Sequence, residues 1–120
     1  MKNDSGLAVL DEKRILAALI ELKRGNFAVR LPEEWTGMAS KIADTFNAVA
    51  ELDQKTLEQL QRLGETAGKE GKLQARASLP YASGGWTANM EAVNTLMADM
   101  AQPITELARV IGSVSNGDLS

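Results

Sequence analysis

Gly25-Asn26-Phe27-Ala28-Val29-Arg30 is the stretch that decides the fold, because the chain returns to it. Gly71-Lys72-Leu73-Gln74-Ala75-Arg76 repeats its pattern 46 residues later, and Gly117-Asp118-Leu119-Ser120 begins it again after another 46. Each copy is a glycine, a polar residue and an apolar residue, and each follows a run with helical apolar periodicity. The two complete copies lead through a non-helical stretch into a second helix. A regular period of this size marks a repeat array, in which stacked units bury what one unit cannot. The third copy stops at Ser120, so the sequence reads as a piece of a longer array.

Outward from the first copy, Leu7, Leu10, Ile15, Ala18, Leu19 and Leu22 recur at helical spacing, with charges largely between them. Asp4 or Ser5 suits the cap of this helix. Gly25 ends it, and Lys23 and Arg24 lie in the last turn, where the helix dipole favours cations. Phe27, Val29 and Leu31 then alternate, as in an extended connector that presses every second side chain onto a neighbour. Pro32, Glu33 and Glu34 suit the first turn of the next helix, with Thr36 as a further cap.

The second helix is expected over 37–69. Met38, Ile42, Phe46, Val49 and Leu52 form its apolar stripe, which continues through Thr56, Leu60, Leu63 and Ala67. After Val49 the spacing departs from three-four alternation. Such a stutter changes helix winding locally and places a joint near 52–57. Gly64 and Gly68 each weaken the helix by roughly 1 kcal/mol; their spacing is either chance, as is usual in a polar helix, or the mark of a soft segment. The second connector, Gly71 to Gly85, carries Leu73, Ala75, Ala77 and Leu79, then Pro80. From Trp86 the last helix alternates without break through Met90, Val93, Met97, Met100, Ile104, Leu107, Ile111 and Val114, a coiled-coil-like seam. Pro103 lies off that seam and marks a kink or a joint.

Composition excludes several function classes. Lys and Arg number 13 against 16 Asp and Glu, a net charge of −3, and no basic patch provides an electrostatic footprint for nucleic acid. No apolar run is long enough to span a membrane, and the N-terminus leads into no signal-peptide core. Cysteine is absent, which excludes disulfides and fits a cytoplasmic protein. Histidine is absent too, which removes the commonest general base and metal ligand. Gly68-Lys69-Glu70-Gly71-Lys72 lacks the spacing and the hydroxyl of a phosphate loop. Glu33, Glu34, Asp44 and Glu51 read as a solvated face. No catalytic, cofactor or metal residue is assigned, and a small helical enzyme is disfavoured.

Antiparallel neighbouring helices need only about 2–5 linking residues. Connectors as long as these call for a physical reason. An extended connector of a dozen residues reaches up to about 40 Å, enough to run back along the preceding helix and start the next beside it. The paired helices are then parallel. Their narrow apolar stripes close most economically as a symmetric dimer, four helices around one core.

Helix, Gly-polar-apolar, connector, then a second helix carrying Phe46-Asn47 or Val93-Asn94 resembles the HAMP domain. The dense tandem spacing resembles poly-HAMP arrays. Lys23 to Gly37, followed by Lys41-Ile42-Ala43-Asp44-Thr45-Phe46-Asn47, is similar to the N-terminal HAMP of hybrid sensor histidine kinases. Pro103-Ile104 to Gly117-Asp118-Leu119 resembles a HAMP first helix. The resemblance covers the chain from about Leu10 onward. It implies that Phe27 and Leu31, and Leu73 and Ala77, pack on the bundle beside the turn glycines Gly25 and Gly71. It also implies that Asn47 and Asn94 hydrogen-bond the connector backbone and fix its register. Many members carry Asp-Glu-apolar-Gly where this chain has Gly37-Met38-Ala39-Ser40 and Gly84-Gly85-Trp86-Thr87, so the glutamate contact of that motif is not carried over.

The expected architecture is all-α: a lead over 1–9, a first HAMP unit over 10–56, a second over 57–102 and the start of a third over 103–120. The units form a dimeric parallel four-helix bundle. Its expected core is Ile15, Ala18, Leu22, Met38, Ile42, Phe46, Val49, Leu60, Leu63, Met90, Val93, Met97, Met100, Ile104 and Leu107. The expected function is signal relay and dimerisation within a two-component sensor histidine kinase, with a second copy and the neighbouring HAMP and kinase domains of the same chain as partners. A passive helical spacer or scaffold, or the HAMP array of a chemoreceptor-like transducer, is the alternative.

Overall fold

A computed structural model describes residues 9–115. The expected cap at Asp4 or Ser5, the helix start at Leu7 and the third glycine copy at Gly117 lie outside the described residues, as do the side chains of Leu10, Ile104 and Val114. Three α-helices follow in order: α1 (Val9–Lys23), α2 (Gly37–Leu63) and α3 (Gly85–Ser115), with a π-helical segment at Gly64–Lys69. The described residues include no strand. The chain divides into two compact units, Met1–Leu57 and Glu58–Ser120, and α2 is continuous through Leu57.

α1 has Asp11 and Glu12 in its first turn and Lys23 in its last, each at the end of the dipole that suits its charge. It ends in a Schellman motif. The Asn26 N–H donates to the Glu21 carbonyl and the Gly25 N–H to the Leu22 carbonyl, both at 3.0 Å. Gly25 takes φ +94°, the left-handed conformation that this turn needs and that glycine alone adopts cheaply. Gly71 repeats the conformation at φ +70°.

The second helix starts where its 37–69 span is expected to, but without the proline-led first turn, and its C-terminal boundary differs. Pro32, Glu33 and Glu34 do not form the first turn of α2, which begins at Gly37, with the Ser40 N–H donating to the Thr36 carbonyl. Pro32 biases Leu31 towards extended backbone, and Gly37 turns through φ +65° before the helix can start. At its other end α2 stops at Leu63 and not at 69, because the next six residues widen into π geometry. α3 runs through Pro103 to Ser115.

Each unit has its own core. In the first, Ala18, Leu31, Ala43, Phe46 and Ala50 are buried, and Ile15, Leu22, Val29 and Trp35 pack against them. In the second, Leu63, Ala77, Met90 and Met97 are buried, flanked by Ala67, Leu73, Ala75, Leu79 and Val93. In the first unit the buried stripe of α2 is Ala39, Ala43, Phe46 and Ala50, which shares only Phe46 with the expected one; in the second unit the expected Leu63 is buried. Small alanines let α1 and the connector approach the helix closely. The larger Met38 and Val49, one position away, stay exposed. In α3 the stripe runs Met90, Met97, Ala101 and leaves Met100 exposed. A helix of 3.6 residues per turn drifts off a strict seven-residue repeat, so the buried face passes from position 100 to 101.

Candidate functional site

The feature that both units build is a connector laid back along its helix and held by an asparagine. In the first unit the connector starts at Asn26, whose side-chain amide reaches Glu21 at 3.4 Å. It ends near Trp35, whose ring stacks under the Arg14 guanidinium 5.4 Å from its centroid. In the second unit the contacts retreat along the helix as the chain advances. The Lys72 N–H donates to the Thr66 carbonyl at 3.0 Å, Arg62 to the Arg76 carbonyl at 2.6 Å, and the Ser78 N–H to Gln59 at 3.0 Å.

Asn47 supplies the clamp of the first unit. Its Oδ1 accepts the Leu31 N–H at 2.7 Å, and its Nδ2 donates to the Leu31 carbonyl at 3.0 Å. Asn94 does the same to Ala77, at 2.7 and 2.9 Å. Leu31 and Ala77 are buried, so their backbone groups need partners inside the protein. A carboxamide presents one acceptor and one donor side by side and satisfies both groups of one residue at once. Aspartate would accept the N–H and leave the carbonyl orphaned.

A second pair of residues acts with the asparagines and was given no role from the sequence. Arg30 donates to the carbonyls of Phe27 and Val29, both at 2.7 Å. Arg76 donates to those of Leu73 and Ala75, at 2.9 and 2.8 Å. Each guanidinium therefore ties down two carbonyls just upstream in its own connector. The signal was available: arginine closes both copies of the repeated hexapeptide.

The remaining expected core residues divide between interior and surface. Ile15, Leu22 and Ile42 are half-buried, and Ala18, Phe46, Leu63, Met90 and Met97 are buried, with Val93 packed on its core. Met38, Val49, Leu60, Met100 and Leu107 are exposed in the single chain. The connector residues Phe27 and Leu73 are half-buried, while Gly25 and Gly71 are exposed turns.

Ile15, Leu19, Leu22, Met38, Ile42, Phe46 and Val49 line one open groove of about 450 Å³ on the first unit, with Lys41 and Thr45 as its polar residues. That lining offers apolar area and few groups to orient a polar small molecule. Among the described residues no group of three or more Asp or Glu is placed to hold a metal ion. No described helix is long and apolar enough to cross a membrane. No protein-family model matches the chain, and no solved structure matches it.

Proposed function

We propose that the chain is a HAMP-like relay and dimerisation module, in which two units of parallel helices pair with a second copy to form stacked four-helix bundles. The observation that carries this reading is the open apolar groove of the first unit, lined by the larger residues of the α1 and α2 stripes. The returning connector brings the start of α2 beside the first half of α1, which makes the two helices parallel. Their exposed stripes then face the same way and suit a two-fold partner. Burial of Met38 and Val49 against that partner would stabilise the dimer by about 1.5–3 kcal/mol for each fully buried side chain.

In this reading the bundle has two packings of similar energy, and continuous α2 carries a shift from one unit to the next. The parent protein is a two-component sensor histidine kinase, and this segment itself performs no chemistry. The asparagine clamps, which fasten each connector firmly, favour the rival reading of a rigid spacer. Cysteines at Ile42 and Val49 test the dimer: same-residue disulfides should form readily in a parallel pair, and absence of cross-linking at both sites overturns it. Insertion of one residue after Gln54 in the full-length protein separates relay from spacer, since only a relay changes its output.

A further inference from the structure

The two units do not carry the same number of residues between helix core and turn. In the first unit Ile15, Ala18 and Leu22 lead to Gly25, three residues past Leu22. In the second, Leu60, Leu63 and Ala67 repeat that spacing, but Gly71 follows four residues past Ala67. The hydrogen bonds that close the turns record the same excess. Asn26 reaches back five residues to Glu21, whereas Lys72 reaches back six to Thr66. The π segment Gly64–Lys69 lies where the extra residue must be absorbed, and the Glu70 N–H bonds the Glu65 carbonyl with π spacing. A π turn is the form a helix takes when it holds one residue too many. Only Ala67 of this segment packs on the core, none of its residues is fully buried, and no atom lies within 4 Å of a Cβ built on Gly64 or Gly68.

We propose that Gly64–Lys69 is a register adapter, a one-residue reserve that lets the helix keep Leu63 and Ala67 on the core while Gly71 keeps the turn. The excess lies in the sequence, and the π geometry is its consequence. Released up the helix, the same residue would move the upstream side chains by about 1.5 Å and 100° against the connector. That last consequence rests on the relay reading; the adapter itself does not.

Paired single deletions in the full chain test the adapter. Lys69 and Lys23 stand two residues before the glycines of their units, both exposed. The Lys69–Glu65 ion pair lost on deletion is a surface pair and contributes little. Deleting Lys69 should collapse the π turn to α-helix and leave amide-exchange protection at Ala77 unchanged or higher. Deleting Lys23, where no reserve exists, should lower protection at Leu31 by about tenfold or more. Deleting Lys69 and Glu70 together exceeds the reserve and should lower protection at Ala77 likewise. The adapter is overturned if the single deletion of Lys69 costs Ala77 as much protection as deletion of Lys23 costs Leu31, or if π spacing persists in the shortened segment. Neither readout depends on signalling output.

Discussion

At the scale of single residues, the two asparagines have the largest expected effect. Asn47→Ala leaves the Leu31 N–H and carbonyl buried without partners, at about 1–3 kcal/mol each when water does not enter. Urea melts should show the first unit destabilised by roughly 2 kcal/mol or more, with Asn47→Asp intermediate because one bond survives. Asn94→Ala should act equally on the second unit. Among the described residues, Asp53 is one whose titration links stability to pH. Burial pushes its carboxyl above the ordinary value. The folded state therefore disfavours ionised Asp53, and its contribution is most favourable at acid pH and declines as pH rises through the folded value. Asp53→Asn should stabilise the chain near pH 7 and make little difference near pH 3, as urea melts at the two pH values would show.

At the scale of elements, the units reach similar packing with exchanged sizes. The first places Ala18 on its helix and Leu31 on its connector; the second places Leu63 and Ala77 at the corresponding sites. One large and one small residue fill each space, as close packing requires. Ala18→Leu alone overpacks the first unit and Leu31→Ala alone leaves a cavity. The double exchange should recover about 1–3 kcal/mol relative to the sum of the two, read from a double-mutant cycle. The glycines divide by backbone conformation. Gly25→Ala meets no atom within 4 Å but must hold φ +94°, so the loss is conformational, about 1–2 kcal/mol in thermal or urea melts. Gly68→Ala has the same open space and no positive φ, and should instead raise helix stability by up to about 1 kcal/mol.

At the scale of the whole molecule, apolar surface remains on α1, α2 and α3. Leu19, Met38, Leu96, Met100, Leu107 and Ile111 are all exposed in the single chain. Exposed apolar residues on each unit suit contact with a partner. If the exposed stripe of the first unit closes against a second copy, sedimentation should report a dimer, and Met38→Glu with Val49→Glu should shift the equilibrium to monomer while far-ultraviolet dichroism stays helical. The sequence by itself determined the 46-residue repeat, the existence of the helices and the left-handed glycine turns, while the role of the two asparagines came from the resemblance to a family. The first three are local matters: periodicity and backbone conformation can be read along a chain. Only the tertiary structure decided that Ala39, Ala43 and Ala50 face inward and not Met38 and Val49, that the arginines turn back on their own connectors, and that the extra residue before Gly71 widens the helix. Each of those depends on which neighbour fits closely across the space between elements, and that fit is set by volumes and registers far apart in the sequence.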